Sequence, residues 1–262
     1  MKLNITHIHS PTNTTFRQLL KLTGARGIRK QGLALAAGEK IVNELLPSPH
    51  VQQLIISEKY CGALATDLPI LCLDQALFRQ LDVCGTNSPL VVVKWKPWPS
   101  FCQQNIDGHC VAIAFQDPEN VGAVVRSSLA FGIEDVILLK ECAHPFLPKA
   151  VRASAGTVFQ ARFHQGPPLE SLHMLDFDGE LVPLSQDGAP LKEHRFATRT
   201  MLLPGIEGCG LPHHLRSNAV SIPISDAVES LNAAVATSII LYAMQNQSDS
   251  HAPTFQKDYT TE

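Results

Sequence analysis

Three stretches in the C-terminal half carry residue types that a plain connector would not need. The first is Gln116-Asp117-Pro118-Glu119-Asn120-Val121-Gly122, continuing through Arg126 to Gly132. Val121, Val124, Val125 and Ser128 mark one face of a helix, and Arg126 falls off that face, toward solvent or a cleft. Asn120 could cap the N-terminus, Gly132 suits a C-cap, and Gly122 lets another backbone or a ligand approach closely. On periodicity alone, a capped surface helix with one exposed arginine is the simpler account. The second stretch, Leu202-Leu203-Pro204-Gly205-Ile206-Glu207-Gly208-Cys209-Gly210-Leu211-Pro212, puts three glycines within six residues around a carboxylate. Such spacing implies positive φ angles and exposed backbone N–H and C=O groups. It lacks the Gly-Lys-Ser/Thr ending of a Walker loop and does not match GxGxxG. The third, Val220 to Asn232, opens into a helix that is apolar almost all round and rich in alanine (Ala233, Ala234, Ala236, Ala243). A helix without a polar face must be covered on both sides, by its own core or by a partner subunit.

The elements that would position these stretches alternate. The spacing predicts, in the first part, helix 15–22, strand 33–37, helix 39–46, strand 51–57, a helix near 58–65, strand 69–73, helix 75–81 capped by Asp74, and strand 90–94. Lys96-Pro97-Trp98-Pro99-Ser100 disfavours helix and central strand alike, so a linker at 96–108 separates residues 1–95 from a second domain at 109–247. There the pattern gives strand 109–115, helix 121–131, strands 135–139, 201–203 and 220–223, and helix 231–245. Alternation of this kind is an α/β layout, and ligands in open parallel α/β sheets collect beyond the carboxyl ends of strands. The polar tail 248–262 is expected to be disordered.

Bulk properties narrow the function classes. The 262 residues are 45% hydrophobic and 17% charged, an ordinary globular composition. No apolar run is long enough to span a membrane, and Met1–Phe16 lacks a signal core, which points to a cytoplasmic protein. Seven cysteines without a CxxC pair read as reduced core thiols rather than disulfides or a zinc site. No metal is implied, and the histidines, including His144 and His213-His214, read as surface or core residues. The net charge of −3 hides an asymmetry: residues 1–38 hold six cations (Lys2, Arg17, Lys21, Arg26, Arg29, Lys30) and no Asp or Glu. Such a segment can attract phosphates, or be a solvated face with a biased surface.

In order and together, the three stretches resemble the three motifs of the SpoU/TrmH family of RNA methyltransferases, over nearly all of residues 109–245. The segment Lys149-Ala150-Val151-Arg152-Ala153-Ser154-Ala155-Gly156-Thr157 also resembles the family's connecting segment. The first region, with Gly38-Glu39-Lys40-Ile41-Val42, is more loosely similar to the L30e-like domain that often precedes the catalytic one. The resemblance implies an α/β fold with an L30e-like α/β/α domain followed by a trefoil-knotted (SPOUT) catalytic domain that dimerises. The reaction it implies is transfer of a methyl group from S-adenosylmethionine to a ribose 2′-hydroxyl of structured RNA, ribosomal RNA being favoured over transfer RNA. By the same carry-over, Leu203, Gly205, Ile222 and Leu231 hold the cofactor. Arg126 is the catalytic arginine, and Asn120, Glu207 and Asn232 surround ribose and cofactor. Arg152 contacts RNA phosphate or lines the active-site cleft. From the charge asymmetry, Arg17, Lys21, Arg26, Arg29 and Lys30 of the first domain are expected to contact the RNA. Ala233-Ala234 departs from the Val-Ser of some members, Ala37 stands where a glutamate often precedes Gly38, and the first domain's last strand lacks the usual Gln-Gly before it. A rival of another class is a non-catalytic knotted RNA-binding protein. A second is a nucleotide-binding enzyme built on the 205–210 glycines.

Overall fold

A computed structural model describes residues 4–62, 66–206 and 210–249. In chain order the first part runs β1 (Ile5–Ile8), α1 (Thr14–Leu20), α2 (Ala25–Gln31), β2 (Leu33–Ala37), α3 (Glu39–Leu45), β3 (Val51–Ser57), β4 (Ile70–Leu73), α4 (Gln75–Leu81) and β5 (Leu90–Lys94). Its five strands form one mixed sheet in the order β1-β4-β3-β5-β2, with β5 antiparallel to both its neighbours. Local chemistry sets the helix ends. Asn13 accepts a hydrogen bond from the Phe16 N–H and Asp74 from the Leu77 N–H, and Gly32, at φ +64, closes α2.

The expected helix near 58–65 is not formed over the described residues 58–62, where Glu58 and Lys59 make a turn. Glu58 is used elsewhere: its N–H donates to the Leu73 carbonyl and its carboxylate accepts from the Gln75 N–H, at the start of α4. Residues 63–65 lie outside the described residues. Two elements of this first part went unread in the sequence. Strand β1 is short and exposed at its first three positions, so it lacks an apolar pattern. Helix α2 contains Gly27, a helix-disfavouring residue, at a point where a Cβ would stand 1.9 Å from the Lys21 carbonyl oxygen.

The second part runs β6 (Cys110–Ile113), α5 (Pro118–Ala130), β7 (Asp135–Leu138), α6 (Pro148–Ala153), β8 (Arg162–Gln165), β9 (Glu180–Pro190), β10 (Thr200–Leu203), β11 (Val220–Ser221) and α7 (Ala233–Asp249). Its six strands lie in the order β11-β9-β10-β6-β7-β8, and every recorded pairing is parallel. All carboxyl ends therefore face one edge, which is where such sheets gather ligands. Helix α7 continues to Asp249, past the expected end at Gln245; the tail expected to be disordered lies, from residue 250 on, outside the described residues.

One apolar cluster joins the two sheets. It runs from Ile28, Ala34, Ile41 and Val42 of the first part to Val111, Val124, Val125 and Val151 of the second. Separate clusters cover the far face of each sheet. Helix α6 packs on β2, and Gly156, at φ +87, sits where a Cβ would be 3.2 Å from Ile41. At the edge of this junction Trp95, Trp98, His144, Phe146 and Phe163 pack as an aromatic group. Among the described residues no helix is long and apolar enough to cross a membrane.

Candidate active site

A cavity of about 520 Å³ opens among the segments that follow β10 and β11 and the middle of β9. Four segments build its walls. Gly205 and Ile206 leave β10, Ile222 and Ile224 leave β11, and Leu184 to Asp187 come from β9. Glu229 to Ala233 close the remaining side at the start of α7. Side chains tie the loops together. Gln186 Nε2 donates to the Glu229 carbonyl at 2.6 Å, and Ser221 Oγ donates to the Gly188 carbonyl at 2.8 Å. Arg216 Nε donates to the Leu211 carbonyl at 2.7 Å. Gly205 is there because a Cβ would stand 3.1 Å from the Leu184 carbonyl oxygen and narrow the cavity.

Of the four expected cofactor residues, Gly205, Ile222 and Leu231 line this cavity. Leu203 does not appear in its lining and is fully buried, in the cluster on the far face of the sheet. The alternation of a strand explains this: Met201 and Leu203 turn to one side of β10 and Leu202 to the other. Reasoning on the sequence missed Leu184, Ser185, Gln186 and Asp187. Pro183, Gly188 and Pro190 interrupt β9 and mask its strand pattern. Gly188 was the available signal, since a Cβ there would stand 2.5 Å from the Ala219 carbonyl oxygen where β11 approaches.

Helix α5 brings the polar residues of the first stretch beside this cavity. Its N-cap is Asp117, which accepts from the Glu119 N–H, and Pro118 fills the first turn. Asn120, expected as the cap, instead lies inside the helix and is buried. A buried amide needs partners, and Asn120 Oδ1 accepts from Asn232 Nδ2 at 3.2 Å. Asn232 Oδ1 in turn accepts from the N–H groups of Ala234 and Val235, which caps α7. The two asparagines thus join the N-terminal ends of α5 and α7 at the cavity wall, of which Asn232 is part. A second link, Ser127 Oγ to Ser238 Oγ at 2.7 Å, holds the same two helices further along.

Val121, Val124, Val125 and Ser128 are buried as the periodicity requires, and Arg126 is exposed. Arg126 is not in the cavity lining, and no hydrogen bond or ion pair engages it among the described residues. Glu207 lies outside the described residues. Arg152 is exposed and spans the junction: its Nη1 donates to the Cys84 carbonyl of the first part at 3.3 Å. Arg17, Lys21, Arg26, Arg29 and Lys30 are all exposed on α1, α2 and the turn between them. Exposed apolar side chains collect on α7, where Val235, Ile239 and Tyr242 stand 50%, 37% and 58% accessible.

Titration follows burial. His144 is 2% exposed. Burial, and secondarily the charge of Arg29, push its pKa down to about 4. Asp135 would be raised by its burial, but hydrogen bonds from Arg162 and His164 outweigh it and hold the carboxyl below its ordinary value. Cys72, Cys110 and Cys142 are buried thiols, Cys110 pushed up to about 12 by desolvation. Cys61 and Cys102 are exposed and Cys84 partly so, which corrects the expectation that the thiols sit in cores. Among the described residues no group of three or more His, Cys, Asp or Glu could hold a metal ion.

Residues 109–242 match the model of the SpoU rRNA Methylase family. The chain belongs to that family. It is 43% identical over 251 residues to the ribosomal RNA small subunit methyltransferase G 2 of Syntrophobacter fumaroxidans, covering 90% of this chain and 48% of that protein. The chain thus spans about half the length of that relative. It is 26% identical over 250 residues to the Bacillus subtilis 23S rRNA (guanosine(2553)-2′-O)-methyltransferase RlmP, with 91% of this chain and 98% of that protein covered. In fold it is similar to the AdoMet-bound rRNA methyltransferase from Sinorhizobium meliloti, with a TM-score of 0.76 at 20% identity over 96% of this chain and 100% of that one. The α/β architecture expected from the sequence is the one observed.

Proposed function

We propose that the chain is an S-adenosylmethionine-dependent RNA methyltransferase acting on a ribose 2′-hydroxyl, with ribosomal RNA as substrate. One observation carries this reading: the cavity lined by the second and third motifs, which the first motif adjoins through the Asn120–Asn232 hydrogen bond. Its walls fit the cofactor's chemistry. Leu184, Ile206, Leu211 and Leu231 offer apolar surface to a purine, and the Asp187 and Glu229 carboxylates suit its ammonium, sulfonium and hydroxyl groups. S-adenosylmethionine, when bound, supplies a methyl group already activated by its sulfonium. Gly205, Ile222 and Leu231 would hold it largely through backbone groups, and Leu203 supports them from beneath.

The remaining work falls to the chain's own side chains. A ribose hydroxyl is a poor nucleophile, so the protein must align it and help remove its proton. Guanidinium stays protonated, so Arg126 is read as fixing the neighbouring phosphate and stabilising the developing alkoxide, while the proton leaves through water or phosphate. Asn120 and Asn232 set the position of the ribose, and Glu207 belongs to the same group by its place in the motif. Because Arg126 stands outside the cavity of its own chain, a homodimer packed on the exposed α7 residues is part of the proposal. Arg126 flanks the Ser127–Ser238 contact, and a partner there covers apolar surface while bringing the arginine toward a second cavity. The proposal also includes a trefoil knot formed where the segments after β10 and β11 pass each other. Residues 1–95 serve as the RNA-recognition domain and 109–247 as the catalytic one, in the cytoplasm.

Incubation with S-adenosylmethionine labelled in the methyl group, followed by alkaline hydrolysis of the RNA, tests this. A 2′-O-methyl blocks strand cleavage at its own linkage, so label is expected in alkali-resistant dinucleotides. Label released in mononucleotides would place the methyl on a base and overturn the reading.

A further inference from the structure

The chain has two tryptophans, and both line a second cavity, of about 720 Å³, at the junction of the two sheets. This cavity is remote from the motifs in sequence and shares no lining residue with the first. Its floor is apolar and aromatic: Trp95 and Trp98 stack on each other at 4.9 Å between ring centroids, with Phe146 and Phe163 beside them. Its rim carries the exposed Lys94 and Lys96. The Nε1–H of Trp95 is buried and has no hydrogen-bond partner among the described residues.

We propose that this cleft binds single-stranded RNA, with a nucleobase against the tryptophan face and phosphates on Lys94 and Lys96. Interleaved cations and aromatics are the combination that sequence-tolerant single-strand binding uses, since every base has a π-face and every linkage a charge. The cleft is also continuous with the basic helix. Trp95 donates its backbone N–H to the carbonyl of Gly32, which ends α2. His144 packs 5.2 Å from Trp95 and feels the charge of Arg29 on that helix. In the proposal, Arg29, Lys30 and the lysine-tryptophan rim form one track along the junction, so that unpaired nucleotides are held by both halves of the molecule. The occupant is RNA because of the reading above, and the inference rests on it.

Because both tryptophans sit in the cleft, intrinsic tryptophan emission reports on this site alone. Titration of the full-length protein with a short single-stranded oligouridylate is expected to quench that emission saturably, more strongly than a fully paired duplex. The Lys94→Glu/Lys96→Glu variant, changed only at exposed positions, is expected to bind about tenfold more weakly, and its dependence of log affinity on log salt should be shallower by about 0.7 per lost phosphate contact. Trp95→Phe should retain binding with roughly half the signal change, which separates a folding defect from a lost site. Absence of quenching, equal quenching by the duplex, or unchanged affinity in the lysine variant would each overturn the proposal. Cofactor binding measured on the same protein separates the two readings: if it persists while the cleft is silent, only the cleft proposal falls.

Discussion

The two sheets of this protein handle polar groups in opposite ways. In the all-parallel sheet every strand delivers its carboxyl end to one edge, so glycines, the Asn120–Asn232 pair and backbone groups gather there around one cavity. In the mixed sheet the reversal of β5 scatters strand ends to both edges. The cations of α1 and α2 are instead all exposed. Convergent strand ends suit chemistry at a point, whereas a dispersed charged surface suits recognition of an extended polyanion. The apolar cluster shared between the sheets holds the two at a fixed separation.

The sharpest break in that comparison comes from Arg126→Ala. It should lower methyl transfer about a thousandfold, in the range for loss of a group that stabilises developing charge, while leaving cofactor affinity unchanged. Steady-state rates and binding on the same preparation check this; Arg126→Lys at near full activity would exclude a need for the planar fork.

The junction itself is tested by pH. His144 titrates at about 4 when folded, against about 6.5 in the unfolded chain. Between those values the unfolded state binds the additional proton, so stability must fall as pH drops from 6.5 toward 4 and then level off. At ~1.4 kcal/mol per pH unit the contribution is bounded at about 3 kcal/mol. Urea denaturation across this window should show the slope, and a flat profile would mean that the aromatic junction opens to water.

Smaller effects separate the sheets further. Gly122→Ala would put a Cβ 2.2 Å from the Ala150 carbonyl oxygen, forcing α5 and α6 apart. A loss of about 1–3 kcal/mol is expected for such overpacking, read as a shift in the denaturation midpoint. Reversing Arg26, Arg29 and Lys30 to glutamate should weaken RNA binding at least about tenfold, visible in anisotropy of labelled RNA, with cofactor affinity and fold intact. A parallel loss of cofactor affinity would show that recognition and chemistry are not divided between the sheets.

Much of the catalytic half was legible because its signals are local. The 3.6-residue spacing of Val121, Val124, Val125 and Ser128 located the buried face of α5 and left Arg126 outside it. The glycines at 205 and beyond marked the cavity loop. What could not be read depended on tertiary contacts. Strand β9 supplies a wall of the cavity but is broken by prolines and a glycine whose role appears only once β11 lies against it. Asn120 and Asp117 are both competent caps. The choice between them is made by Asn232, more than a hundred residues away, which draws Asn120 into the helix interface. Leu203 adjoins the loop in sequence yet faces the core, since one residue along a strand reverses the side chain.

The central claim is that the cavity between β9, β10 and α7 is a working cofactor site. Isothermal titration of the purified protein with S-adenosylmethionine, beside a Gly205→Trp variant whose indole would fill that cavity, tests it most directly. The account predicts saturable binding at about one site per subunit, in line with one cavity of this kind per chain, and its loss in the variant. No heat of binding at millimolar ligand, or equal binding by the variant, would contradict it.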